Sequence, residues 1–201
     1  HDDMYFCPNW DIVFVEELNK IKEDDFFLSC IMVQKSNADL ILDCGESYKD
    51  FNETKLLKEL PKIKAHNFQG TTWAPSLIPI NTWNKVGGFS EEYGPGLGSD
   101  PDFNMKLWNI GVRLFKGLGN CRVYHFSSVT LRKKSWNNGA KTFLLKWGIS
   151  IKFFRKHYLK ANTIFDGQLK DPVKNYQYLI DLLKCKISFF YHFLIHKFIK
   201  I

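Results

Sequence analysis

The apolar and polar positions change period several times along the chain. Met4–Cys7 is a short apolar run directly after two aspartates and predicts a strand. Asp11–Ile21 predicts a short helix that ends in charges. Phe26–Val33, "FFLSCIMV", is apolar and β-prone and predicts a second strand. Asn52 can cap a helix that runs to about Leu60, where Pro61 stops it. Leu77–Ile80 is short and extended, and Asn81 can cap "TWNKV", which ends at Gly87-Gly88, a tight reversal or close backbone approach.

A Gly/Pro-rich loop, "EEYGPGLGSDPDF", then runs into a helix. Phe103, Leu107, Ile110 and Leu114 recur at helical spacing and give it a buried stripe to about Ile110, with Gly111 as its end. "VRLF" and "CRVYHF" predict two further strands, the second with Cys121, Val123 and His125 on one face by alternation. From Gly139 onward the pattern is helical with aromatic stripes. No internal repeat or low-complexity tract appears.

The chain has 201 residues, room for one domain with an appendage. Its 45% hydrophobic and 16% aromatic content supports a real core and excludes disorder. No apolar run reaches the roughly 18 residues that span a bilayer, and the first residues carry no secretory leader pattern. Five scattered cysteines form no CxxC pair, which suits reduced thiols in a cytoplasm better than a disulfide frame or a zinc site. The formal charge of +7 is uneven. Residues 131–201 hold 15 Lys/Arg and 3 Asp/Glu, a net of +12, against a net of −5 before them. Such a basic tail points at phosphates.

Three polar clusters can carry chemistry. In His1-Asp2-Asp3, paired carboxylates suit a hard cation such as Mn²⁺ or Mg²⁺, with substrate phosphates completing its shell; a solvated acidic terminus explains the same residues. In Ser99-Asp100-Pro101-Asp102, an ionised carboxylate at a helix start can serve as a general base. A Ser99/Asp102 capping box, or Asp100 as N-cap before Pro101, explains them without chemistry. His125, at a strand end, is a ligand that Mn²⁺ accepts or a core histidine with satisfied hydrogen bonds. Among the tryptophans, Trp108 and Trp147 read as core, while Trp73 and Trp136 lie in loops where they can stack on a sugar. Arg132, Lys133 and Lys134 can meet a diphosphate or form a solvated basic loop.

Taken in order, "HDDMYFCPNWD", "WAPSLIPINTWNKVGGFSEEYGPGLGSDPDFNMKLWNIGVRLFKGLGNCRVYHF" and "KTFLLKWGISIKFFRKHYL" resemble the C-terminal part of bacterial family 2 glycosyltransferases of the GT-A fold. The likeness covers most of residues 1–160 and rests on a DxD-like motif, GGF, an acidic G-x-D-x-D-F loop and a strand ending in His. It implies an α/β fold, the Rossmann-like GT-A fold lacking its N-terminal nucleotide-binding half, with residues 1–135 as the metal and acceptor side and 136–201 as a basic aromatic helical extension.

The resemblance also implies roles. Asp2, Asp3 and His125 would bind Mn²⁺ or Mg²⁺, with His1 standing where the family usually has Asp or Asn. Asp100 would be the catalytic base and Asp102 the second candidate, Ser99 replacing the family's Glu. Gly87, Gly88 and Phe89 would line the acceptor side. The implied reaction is inverting transfer from a nucleotide-diphosphate sugar to a hydroxyl of a glycan or lipid-linked acceptor, in surface-polysaccharide or cell-envelope synthesis. A chain that opens on its metal motif is expected to be part of a longer enzyme and to bind nucleotide sugar poorly by itself.

The tail, with Ile187, Phe190, Tyr191, Leu194 and Phe198 on one helical face and lysines between, suits an anionic membrane surface or packing on the catalytic core. The expected location is the cytoplasm, peripheral on the inner membrane face. Two other functions compete: a non-catalytic membrane- or phosphate-binding module, and a metal-dependent phosphoesterase built on Asp2, Asp3 and His125. No nucleic-acid-binding motif is present.

Overall fold

The computed structural model describes residues 3–36, 38–70, 75–94, 97–126 and 138–198, with side chains described to residue 194. The chain forms a mixed α/β structure of two compact units. The first holds residues 1–79, 114–135 and 162–167; the second holds 80–113, 136–161 and 168–201. The expected division into 1–135 and 136–201 therefore takes a different form, because residues 80–113 group with the later helices.

The first unit is a six-stranded sheet. Its strands are β1 (Met4–Phe6), β2 (Phe26–Gln34), β3 (Leu40–Ile41), β4 (Phe68–Gln69), β5 (Ser76–Leu77) and β6 (Leu114–His125). The main order is β1-β6-β2-β3. β6 and β3 run parallel to β2, and β1 runs antiparallel to β6. β2 is buried over almost its whole length because both faces are covered. Phe26, Leu28 and Cys30 pack with Phe14 of α1 (Trp10–Leu18) on one face. Val33 packs with Leu56 of α2 (Glu53–Glu59) on the other. Asn52 caps α2 as expected, accepting from the Lys55 amide at 2.8 Å, and Pro61 falls in a 3₁₀ turn, Leu60–Lys62, that ends it.

The two strands expected after Gly111 are one. Its register against β2 jumps from Cys30–Leu118 to Ile31–Arg122, so Gly119–Cys121 form a bulge. A Cβ at Gly119 would collide with the His66 backbone, which makes glycine necessary there. Cys121 and Val123 share the α1 face, as alternation predicts. All five cysteines are buried free thiols; Cys30 and Cys121 Sγ lie 2.7 Å apart.

The second unit is helical: α3 (Ile80–Val86), α4 (Ser99–Asn109), α5 (Gly139–Trp147), α6 (Ile151–Phe153) and α7 (Tyr176–Phe198). α3 starts one residue before Asn81, so Asn81 is inside the helix and does not cap it. α6 continues into a π-helical turn, Phe154–Tyr158, closed by Leu159 N–H on Phe154 O at 3.1 Å. Trp108 is core, held between the Tyr158 ring at 5.2 Å and the Arg113 guanidinium at 3.8 Å. In the α4 stripe Phe103 and Leu107 are buried, but Ile110 is 41% exposed because the helix has ended at Asn109. Among the described residues no helix is long and apolar enough to cross a membrane.

Candidate active site

In the first unit the sheet brings Asp3 and His125 together. β1 pairs Met4 with His125, and the Phe126 N–H donates to Asp3 O at 2.9 Å, so the turn before β1 lies beside the end of β6. His125 Nε2 is 3.2 Å from Asp3 Oδ2, and Nδ1 is 2.8 Å from Gln34 Oε1 at the end of β2. The Gln34 amide nitrogen donates to Ser36 O, which turns its oxygen toward the ring.

The imidazole, the Asp3 carboxylate and the Gln34 amide are thus in hydrogen-bond contact at one end of the sheet. An imidazole with its far nitrogen bonded by an amide, beside a carboxylate, fits the donor set and outer-shell support of a Mn²⁺ or Mg²⁺ site. No group of three or more His, Cys, Asp or Glu side chains forms a metal cluster among the described residues. The expected ligand Asp2 lies outside the described residues, with His1. Trp73, Trp136, Arg132, Lys133 and Lys134 lie outside them too.

In the second unit the acidic loop and the GGF turn meet. α3 ends in a Schellman motif: Gly87 N–H donates to Asn84 O and Gly88 N–H to Trp83 O, both at 3.2 Å, with positive φ at both glycines. A Cβ on Gly88 would sit 2.6 Å from the Trp83 ring. Phe89 then packs on Trp83 and Phe103 while staying 48% exposed, an aromatic face open to solvent. Lys106 of α4 clamps the turn through Gly88 O at 2.6 Å and Ser90 Oγ at 3.1 Å.

Neither expected cap of α4 forms. The N-cap is Gly98 at φ 101°, with no side-chain cap bond, which makes Asp100 the second helical residue. The residues compete for better partners. Asp102 is fully buried and accepts from Ser90 Oγ at 2.6 Å, Trp147 Nε1 at 2.7 Å and Lys146 Nζ at 2.9 Å. Burial works against the Lys146 charge, but Glu92 at 2.7 Å and Asp102 hold its pKa up. Gly98 is held against Tyr93 and the Gly139 backbone, where a Cβ would meet the Tyr93 ring at 2.9 Å. Asp102 thus ties α4, α5 and the GGF turn together, and its oxygens are engaged.

Asp100, two residues earlier, is different. It is partly buried, and among the described residues its carboxylate has no ion pair or hydrogen bond. Burial alone pushes its pKa up to about 6. A carboxylate tuned toward neutrality and left without a partner is what proton transfer near pH 7 requires.

Sequence reasoning missed Gln34, Ser90 and Lys146 as parts of these clusters, and placed Trp147 in the core rather than on Asp102. No spacing signal marks them, because each reaches its partner only through the tertiary fold. Compared with known proteins, the chain matches no family model, no curated protein and no solved structure.

Proposed function

We propose that this chain carries the metal and acceptor side of a family 2 inverting glycosyltransferase of the GT-A fold. The observation that carries the reading is Asp100, a carboxylate at the start of α4 with no partner among the described residues and its pKa raised by burial. The motif order of the sequence and the Asp3–His125–Gln34 arrangement support it.

In this reading Asp100 accepts the proton of an acceptor hydroxyl as that oxygen attacks the anomeric carbon of a nucleotide-diphosphate sugar. The nucleoside diphosphate leaves from the opposite face, and configuration inverts. Asp102 does not touch the reacting atoms; it fixes the first turn of α4, which carries Asp100. Phe89 offers its open face to an acceptor sugar, the turn at Gly87-Gly88 sets its direction, and Gln34 orients the His125 ring. Asp3 and His125 would hold Mn²⁺ or Mg²⁺, which when bound neutralises charge developing on the leaving diphosphate.

The acceptor is a glycan or lipid-linked hydroxyl, and the setting is envelope or surface-polysaccharide synthesis at the inner membrane face. The outer side of α7 favours that setting. Leu183, Ile187, Phe190, Tyr191 and Leu194 are each at least half exposed, an apolar stripe that suits an interfacial helix.

The test is nucleoside diphosphate release from UDP-, GDP- and dTDP-sugars with Mn²⁺ and a membrane lipid extract as acceptor source. It is run on the 201-residue chain and on the protein as its whole reading frame encodes it. Release that needs both Asp100 and the acceptor supports the reading. Phosphate release indifferent to acceptor favours a phosphoesterase, and no turnover of any donor in either form overturns the assignment.

A further inference from the structure

A cavity of about 520 Å³ opens in the first unit at the bulge of β6 and is not used by the proposed reaction. It lies beside Arg122, three residues before His125 and on the opposite side of the strand by alternation, about 10 Å along it. Arg122 is 93% buried, with 7% of its surface exposed. Its guanidinium donates to three backbone carbonyls: Gly119 O at 2.8 Å, Leu60 O at 2.5 Å and Ile63 O at 2.9 Å. A guanidinium has five N–H groups, so two remain for another partner. No carboxylate meets this buried cation among the described residues, and the cavity wall contains no Asp or Glu. The nearest titratable wall group, Cys7, has its thiol pushed up to about 12 by burial and stays neutral.

A buried cation without a countercharge is costly unless something supplies one. The rest of the wall suits an anion. Lys64 stands at the rim and Asn120 on the bulge, both exposed. Asn9 is the N-cap of α1, in the left-handed conformation and without a side-chain capping bond. Val13 and Leu57 supply apolar surface. Cavities of roughly 300–1,000 Å³ with a few convergent polar groups take small organic molecules, not bare ions.

We propose that this cavity binds a small phosphate monoester with an apolar body, its phosphate on Arg122, Lys64 and the Asn120 amide and its body on Val13 and Leu57. Two cations facing one site match the charge of a phosphate dianion, and the guanidinium fork matches its oxygens. The site is independent of the proposed transfer reaction.

Calorimetric titration with phenyl phosphate, in EDTA so that no metal-dependent binding contributes, tests it. Phenyl phosphate is expected to bind one to one and at least tenfold more tightly than inorganic phosphate, and benzyl alcohol is expected not to bind. Arg122→Met also removes the three carbonyl bonds and endangers folding, so exposed residues carry the test. Lys64→Glu and Asn120→Asp each place a negative charge at the mouth and are expected to weaken binding about fivefold or more, with unchanged melting temperature. Absence of binding overturns the proposal. So does binding that ignores both substitutions, or benzyl alcohol binding as well as phenyl phosphate.

Discussion

Replacing Asp100 by Asn separates a functional carboxylate from a structural one without knowledge of any substrate. Burial raises the Asp100 pKa from its ordinary 3.8 to about 6. The folded chain therefore holds this proton more tightly than the unfolded chain. Between about pH 4 and pH 6 the folded state binds more protons, so stability falls as pH rises and stays lower above that window. A shift of about two units corresponds to roughly 3 kcal/mol at pH 7. Asn is neutral at every pH and escapes this penalty. It also loses the favourable placement of a negative charge in the first turn of α4, worth about 0.3–1 kcal/mol. Burial wins, and Asp100→Asn is expected to be more stable than the parent by about 2 kcal/mol at pH 7, with no gain at pH 4. For a chain of this size that is about 4–8 °C in melting temperature. The assay is thermal unfolding of both proteins by circular dichroism at pH 4, 5, 6 and 7. Equal melting temperatures at pH 7, or a gain of the same size at pH 4, would refute the argument that burial sets this carboxylate's state. In a transfer assay the same variant is expected to lose about 10²–10⁴-fold in rate, so stability and activity move in opposite directions.

Asp102 gives the opposite result. Asp102→Ala leaves Lys146 and the Trp147 N–H without their buried acceptor and is expected to cost about 3–5 kcal/mol, read as a fall in the urea midpoint at pH 7. Mn²⁺ is expected to raise the melting temperature of the parent chain, and Asp3→Ala and His125→Ala each to abolish that rise; a rise retained in both variants would place the metal elsewhere. For α7, the parent chain is expected to co-sediment with phosphatidylglycerol-containing vesicles. Leu183→Glu with Ile187→Glu, both on the exposed side, is expected to release it, and a parent chain that stays in the supernatant would refute membrane docking.

Much of the local structure was legible before any coordinates. β2 declares itself as a run of apolar, β-prone residues because a strand covered on both faces needs no polar alternation. Gly87-Gly88 declares the end of α3 because only glycine takes two successive left-handed conformations cheaply. Asn52 declares α2 because its side chain bonds the Lys55 amide three residues on. Each of these signals is complete within a few neighbouring residues.

What needed the fold were choices between partners far apart in the chain. The pattern around Gly119 reads as a break between strands, and becomes a bulge within β6 only because β2 keeps pairing on both sides of it. Ser99, Asp100 and Asp102 read as caps or as catalytic groups. Three-dimensional packing removed the caps by offering Asp102 the Ser90 hydroxyl, the Lys146 ammonium and the Trp147 indole, and left Asp100 desolvated. Local sequence thus determined where helices, strands and turns form, because backbone preferences act over a few residues. Tertiary structure alone decided which carboxylate is satisfied and which is desolvated, because burial and hydrogen bonding depend on residues brought in from 12 to 45 positions away.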